Sequence, residues 1–248
     1  PPEYGGTGAD AIHYAIFCEC MARHSYEMAS IFTSPMFTIT NIVHYGTEKQ
    51  KRQYLPAYVQ GKLNAAISLS EPDAGSDLAS ISTRTRLEGD YFIVNGTKQW
   101  STGASRPNTL IAMALKTDPT APRRKGISML LIPNDLPGIE LRRQDVIVRK
   151  PIGTCSIFLN DVKVPKENLL GTLNGGWEIL TGHLELERLA AAACIVGEAR
   201  QTLDDAMNYA KKRVQFGQPV SRFQEIGHTL AQLYAELVET VHAPDKPF

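Results

Sequence analysis

Ser68-Leu69-Ser70-Glu71-Pro72-Asp73-Ala74-Gly75-Ser76-Asp77 closes a strand-like apolar run and turns at once through a proline, a glycine and several short oxygen-bearing side chains. Pro72 fixes φ, Gly75 permits a positive φ, and Ser70 and Ser76 offer hydroxyls six residues apart. A loop of this composition can aim several backbone N–H groups into one concavity, which suits a phosphate or the electron-rich edge of a ring. The same residues also dominate ordinary polar turns, so the loop alone leaves both readings open.

A second stretch, Asn95-Gly96-Thr97-Lys98-Gln99-Trp100-Ser101-Thr102-Gly103, decides between them. Residues 91–94 read as a strand, and Asn95-Gly96 predicts a hairpin turn. On the returning strand Trp100 and Thr102 are two apart and share one face, each with a polar handle beside apolar surface. S-E-P-x-A-G-S-D followed by N-G-x-K-x-W-x-T resembles the acyl-CoA dehydrogenase family of flavoproteins. Further segments match in the family's order. Residues 1–8 resemble P-x-x-Y-G-G-x-G, and residues 46–56 are similar to G-(T/S)-x-x-Q-K-x-x-Y-L-P. Residues 162–171 resemble V-x-V-P-x-x-N-x-L-G, and Arg213-Val214-Gln215-Phe216-Gly217 resembles R-x-x-F-G. The resemblance runs from the first residue to about Tyr234 or Glu236.

Composition narrows the function classes. Lys plus Arg equals Asp plus Glu at 26 each, so no global field attracts nucleic acid or an anionic membrane, and an anionic ligand must be met locally. Cys18, Cys20, Cys155 and Cys194 show no C-x-x-C spacing, which predicts free thiols in a reducing compartment. The six histidines share no metal-ligand spacing, so no metal and no chemistry is assigned to them. Arg123-Arg124-Lys125 reads as a solvated loop. No apolar run approaches the roughly twenty residues of a membrane span, and a soluble intracellular protein is expected.

Periodicity divides the 248 residues into three segments. Residues 1–62 read as helical, with Thr47 and Gln50 forming a capping box and Pro56 expected to kink or break that helix. Residues 63–170 carry short apolar or alternating runs at 65–70, 91–94, 110–115, 127–132, 139–142 and 155–164, as in a small antiparallel barrel or sandwich. Residues 171–248 return to a helical period, with one long helix to about Arg213 and a second carrying Phe223, Ile226, Leu230, Leu233 and Leu237. Two such helices ask for partners in a bundle. The expected fold is therefore α+β: helices, a β-domain, then part of a helical bundle. Family members have further helices at both ends, so the resemblance implies a chain truncated at both ends, with a tail from His242 onward unlike the family's.

The resemblance also implies chemistry. Family members dehydrogenate an acyl-CoA thioester: a Glu removes the α-proton and the β-hydrogen leaves as hydride to N5 of FAD. By residue match, Leu69, Ser70, Gly75, Ser76, Trp100, Ser101 and Thr102 bind the cofactor; Ser101 stands where many relatives carry Ile. Arg213, Gln215, Phe216 and Gln224 match positions that reach the cofactor of a neighbouring subunit, while Ser76, Glu185 and Arg188 match substrate contacts. Most members place the base beyond the point where this chain ends. A minority, including isovaleryl-CoA-type and long-chain enzymes, use a Glu just before an Arg on the long helix, which here is Glu187 before Arg188. Glu185 with Arg188 also reads as an ordinary helix pair. Electron-transfer flavoprotein as acceptor, a homo-oligomer (dimer or tetramer) and a bacterial cytoplasmic or mitochondrial matrix location follow by the same match. An acyl-CoA oxidase, an enoyl-CoA reductase-like relative, and a catalytically incomplete fragment are the alternatives.

Overall fold

The computed structural model describes residues 1–242; the tail from residue 243 onward lies outside the described residues. Three helices build the first segment: α1 (Ala11–His24), α2 (Tyr26–Tyr45) and α3 (Glu48–Val59). The capping box forms as expected. Thr47 Oγ1 accepts from the Gln50 N–H at 3.2 Å, and Gln50 Oε1 accepts from the Thr47 N–H at 3.0 Å. The Gln50 amide also donates to the carbonyls of Glu167 (2.8 Å) and Leu169 (3.0 Å), so the cap of α3 clamps the end of the β-domain. Pro56 does not break α3, which runs on to Val59 before Gly61 turns the chain at φ 69°. So near the helix end, a missing N–H forfeits only one intrahelical bond.

The middle segment forms one eight-stranded sheet from β1 (Asn64–Ser68), β2 (Arg84–Glu88), β3 (Tyr91–Thr102), β4 (Thr109–Lys116), β5 (Ile127–Pro133), β6 (Ile139–Gln144), β7 (Thr154–Pro165) and β8 (Leu169–Leu170). The strand order is β6-β7-β3-β2-β4-β5-β8, with β1 added alongside β4. The sheet is open, not a closed barrel, and it is not wholly antiparallel, because β1 runs parallel to β4. β2 escapes the periodicity because Thr85 is its one buried residue. By contrast β4 and β5 are buried on both faces. Leu110, Ala112, Ala114, Met129 and Leu131 join one core cluster with Ile39, Ile42 and Leu55 of the helices. Ile111, Met113, Leu115, Leu130 and Ile132 join a second cluster with Val94, Ile157 and Val162. The sheet therefore curls over on itself, which explains the continuous apolar runs in β4 and β5.

Asn95-Gly96 is not a hairpin. The turn between β2 and β3 is Gly89-Asp90, with Glu88 paired to Tyr91 and Gly89 at φ 58°. β3 passes straight through Asn95-Gly96, where its register against β7 shifts. The Asn95 amide donates to Asp161 Oδ1 and its Oδ1 accepts the Asp161 N–H, both at 2.9 Å, so the side chain braces the bulge. Gly96 is required twice over. Its φ is 145°, and a Cβ there would stand 2.6 Å from Thr83 Oγ1 and 2.7 Å from Thr83 Cα.

The last segment holds α4 (Gly176–Gly182), α5 (Leu184–Lys212), the two-residue strands β9 (Val214–Gln215) and β10 (Gln218–Pro219), and α6 (Gln224–His242). The chain forms two compact units: residues 1–10 with 30–187, and residues 11–29 with Arg188 onward. The second unit has its own core of Cys18, Ala22, Ala29, Ala190 and Cys194. Gly197 lets α5 approach α1 so closely that a Cβ would stand 2.2 Å from the Glu19 carbonyl oxygen. Leu189, Ile195, Ile226 and Leu233 stay exposed, as expected of helices that cannot bury every apolar face alone. Among the described residues no disulfide joins any of the four cysteines, and no helix is long and apolar enough to cross a membrane.

Gly96→Ala is expected to lower folding stability by about 2–4 kcal/mol, from the strained φ and the collision with Thr83. Urea unfolding with an unchanged midpoint would show that Thr83 yields freely and that the glycine is not needed.

Candidate active site

The two sequence motifs meet at a buried ion pair. Lys98 on β3 and Glu71 in the loop after β1 stand 2.9 Å apart, with side chains 0% and 3% exposed. Lys98 Nζ also donates to the Leu69 carbonyl at 2.8 Å, and the Gln99 N–H donates to the Ser70 carbonyl at 2.9 Å. Glu71 is saturated with donors: the Ser82 N–H (2.6 Å) and hydroxyl (2.8 Å) reach one oxygen, and the Thr83 N–H (3.0 Å) reaches the other. Burial pushes the Glu71 carboxyl up, but the Lys98 charge and these hydrogen bonds outweigh it and hold the pKa down at about 2. For Lys98, burial outweighs the attraction of Glu71 and lowers the pKa to about 8. The two directions differ in meaning because the ammonium has fewer partners than the carboxylate; near neutral pH both groups are charged.

The loop itself is closed by reciprocal backbone bonds, Glu71 N–H to the Ala74 carbonyl (2.8 Å) and Ala74 N–H to the Glu71 carbonyl (3.2 Å). These consume N–H groups that the sequence reading left for a ligand. Gly75 is not among the residues with positive φ, and a Cβ there would meet nothing within 4 Å, because the Glu71–Ala74 bridge makes the turn instead.

The loop and β3 line a small cleft. Its walls include Leu69, Ser70, Gln99, Trp100 and Thr102 from the β-domain, Ser34 and Phe37 from α2, Arg149, His183 at the end of α4, and Glu187 in the first turn of α5. Opposite Ser156 of β7, β3 has two residues, Gln99 and Trp100, so a bulge lies here. Trp100 adopts φ 62°, the left-handed region that costs a bulky residue about 1–3 kcal/mol and recurs at functional sites. The bulge turns the indole outward, leaving it 58% exposed beside Thr102, whose hydroxyl lies 3.1 Å from that of Thr154. At about 180 Å³ the cleft is smaller than a ligand pocket of roughly 300–1,000 Å³, so it admits one end of a ligand.

Thus Leu69, Ser70, Trp100, Thr102 and Glu187 are brought together. Gly75 and Ser76 lie exposed on the loop outside the cleft lining. The Ser101 side chain is buried, its hydroxyl 2.7 Å from that of Ser68, so it braces β1 against β3 and does not face the cleft. Glu185 and Arg188 are exposed on α5, outside the cleft lining. Arg213, Gln215, Phe216 and Gln224 are exposed around the β9–β10 turn, with Phe216 93% exposed at φ 49°. The basic loop is engaged with neighbours: Arg123 pairs with Asp77, and Arg124 lies 5.0 Å from the centre of the Trp177 ring. Sequence reasoning missed His183, which lines the cleft one helical turn before Glu187. The four-residue spacing to Glu187 was the available signal.

These features define an α+β protein whose β-domain presents an exposed aromatic face and hydroxyls beside a helix-borne carboxylate. Residues 1–62, 66–162 and 174–241 match, in turn, the N-terminal, middle and C-terminal domains of acyl-CoA dehydrogenase. The chain belongs to the acyl-CoA dehydrogenase family. It is 37% identical over 245 residues to a Bacillus subtilis protein named "Probable acyl-CoA dehydrogenase", covering 96% of this chain and 63% of that protein. It is 35% identical to the mitochondrial isovaleryl-CoA dehydrogenase of Solanum tuberosum, covering 96% of this chain and 58% of that one. The crystal structure of an acyl-CoA dehydrogenase from Geobacillus kaustophilus superposes with TM-score 0.89 at 36% identity, over 96% of this chain and 63% of the other. The chain thus spans less than two thirds of the length of these relatives.

Removing one partner of the buried pair leaves an uncompensated charge. Lys98→Met is expected to destabilise by about 3–5 kcal/mol, and a Lys98→Met/Glu71→Leu double variant by much less. The folded pKa of Glu71 is depressed, so its contribution is complete above about pH 4.5 and is lost as pH falls towards about 2. Denaturant melts of wild type and Glu71→Gln across that window check the sign: wild type should lose up to about 3 kcal/mol more than the variant.

Proposed function

We propose that the protein carries out FAD-dependent α,β-dehydrogenation of an acyl-CoA thioester, with Glu187 as the base that removes the α-proton. The observation that carries this reading is that Glu187 lines the same cleft as Leu69, Ser70, Trp100 and Thr102. An exposed indole flanked by hydroxyls and backbone polar groups suits a flat ring with polar edges, so the residues fit the flavin end of FAD. The chemistry FAD supplies when bound is acceptance of the β-hydrogen as hydride. Leu69 and Ser70 would hold the polar edge of the ring, Trp100 would cover part of its face, and Thr102 would offer its hydroxyl. Glu187 is 43% exposed, which suits a base that must meet the α-carbon of an entering substrate.

The remaining assignments belong to the same proposal. Ser76, Glu185 and Arg188 contact the acyl-CoA, and Gly75 and Ser101 complete the cofactor loop through their backbone. Arg213, Gln215, Phe216 and Gln224 serve the cofactor of a neighbouring subunit in a homo-oligomer, a dimer or tetramer, which the exposure of Phe216 supports. Electron-transfer flavoprotein takes the electrons, in a bacterial cytoplasm or a mitochondrial matrix.

The test is optical. The FAD-loaded protein should be yellow and bleach anaerobically on addition of butyryl-CoA or isovaleryl-CoA. Glu187→Gln should keep its colour but bleach at least about a thousandfold more slowly. Bleaching at the wild-type rate in that variant would remove Glu187 from the role.

A further inference from the structure

We infer that His183 is a positioning residue for Glu187: its Nε2 stands ready to take over the proton that Glu187 removes. The inference rests on the reading of Glu187 as the base. His183 follows α4 directly, and its carbonyl accepts the Glu187 N–H at 3.0 Å, so the two side chains project from adjacent turns. The imidazole is 1% exposed and stacks on Phe37, with 5.8 Å between ring centres.

The neighbours of Nδ1 set the tautomer. Nδ1 lies 3.0 Å from the Ile179 carbonyl oxygen, which can only accept, so Nδ1 carries the ring proton. Asn41 sits on the same side, with its amide nitrogen 3.3 Å from Nδ1 and its Oδ1 buried without a hydrogen-bond partner. Turning that amide so that Oδ1 faces the Nδ1–H removes the conflict between two donors. Nε2 is then a lone pair. It too is buried without a hydrogen-bond partner, and Glu187 Oε2 stands 3.9 Å away. A buried nitrogen without a protein partner costs about 1–3 kcal/mol, which a proton shared between Nε2 and Glu187 would offset. Arg149 is the other charged side chain in the cleft lining.

The step balances simply. When Glu187 takes the α-proton, a new O–H forms and the C–H electron pair stays with the substrate. About 1 Å of movement by the half-exposed Glu187 side chain brings that O–H within hydrogen-bond reach of Nε2. The O–H bond breaks and an N–H bond forms, leaving a carboxylate beside an imidazolium, and each charge stabilises the other. The proton leaves by way of the Glu187 carboxylate, which is 43% exposed and can pass it to water, and His183 returns to its neutral form.

The experiment compares wild type, His183→Phe, His183→Gln and Glu187→Gln in the FAD-loaded protein, by rapid mixing with butyryl-CoA. His183→Phe is expected to slow flavin bleaching at saturating substrate about tenfold or more while the substrate Kd stays within about twofold. His183→Gln, whose amide oxygen can still accept from Glu187, should recover part of the rate, and it serves alone if the Phe variant does not fold. Nitrogen-15 spectra of histidine-labelled protein without substrate give an independent readout: His183 as the Nδ1–H tautomer, with an Nε2 signal that moves in Glu187→Gln. Unimpaired bleaching in both His183 variants, with Glu187→Gln inactive, would sink the inference and leave the base in place. Wild-type bleaching in Glu187→Gln would sink both, and an Nε2–H tautomer would sink the inference alone.

Discussion

The ion pair between Lys98 and Glu71 is the constraint around which the β-domain is arranged. An ammonium with no exposure must have its charge met inside the protein, and Glu71 with the Leu69 carbonyl does so. Glu71 in turn draws Ser82 and Thr83 onto its two oxygens. Four stretches of chain, the end of β1, its loop, the approach to β2 and the middle of β3, are thereby tied at one point. Hydrophobic burial sets which face of β3 turns inward, and the charge pair adds a second requirement, that Lys98 lie within reach of Glu71.

That anchoring is what allows strain nearby. Trp100 holds a left-handed backbone two residues from Lys98, and the bulge carrying it is flanked by the Gln99–Ser70 backbone bond and the Ser68–Ser101 hydroxyl pair. The bulge at Asn95 and the bulge at Trp100 shift the β3–β7 register in opposite senses, so Tyr91 and Thr102 keep the same alignment at the two ends. Between them the strand is re-aimed without losing its partner, and an aromatic face is turned outward where an uninterrupted strand would have turned it elsewhere.

Much of the fold was legible in the residues. The capping box at Thr47, six of the eight sheet strands and two of the three late helices, α5 and α6, follow from periodicity and cap chemistry, which act over a few neighbouring residues. The failures share a physical cause. Asn95-Gly96 has the composition of a hairpin, yet Gly96 is there because Thr83 approaches its Cα, and Asn95 because Asp161 needs bracing; both partners are distant in sequence. β2 was invisible because a strand with one buried residue carries no hydrophobic signal. At the site, Leu69, Ser70, Trp100, Thr102 and Glu187 were named from motifs, whereas His183 was set aside because no metal-type spacing surrounds it.

By itself the sequence determined the three-segment order, the strand and helix periods, and the motif residues that mark the family, since each is written in local side-chain chemistry. Only the tertiary structure decided that Gly75 adopts no special backbone, that Ser101 faces inward, and that Trp100 is swung outward by a bulge. It also decided that a histidine nitrogen is buried beside Glu187. Those outcomes depend on which distant groups must satisfy a buried charge, a carbonyl or a close backbone approach, and no window of neighbouring residues contains that information.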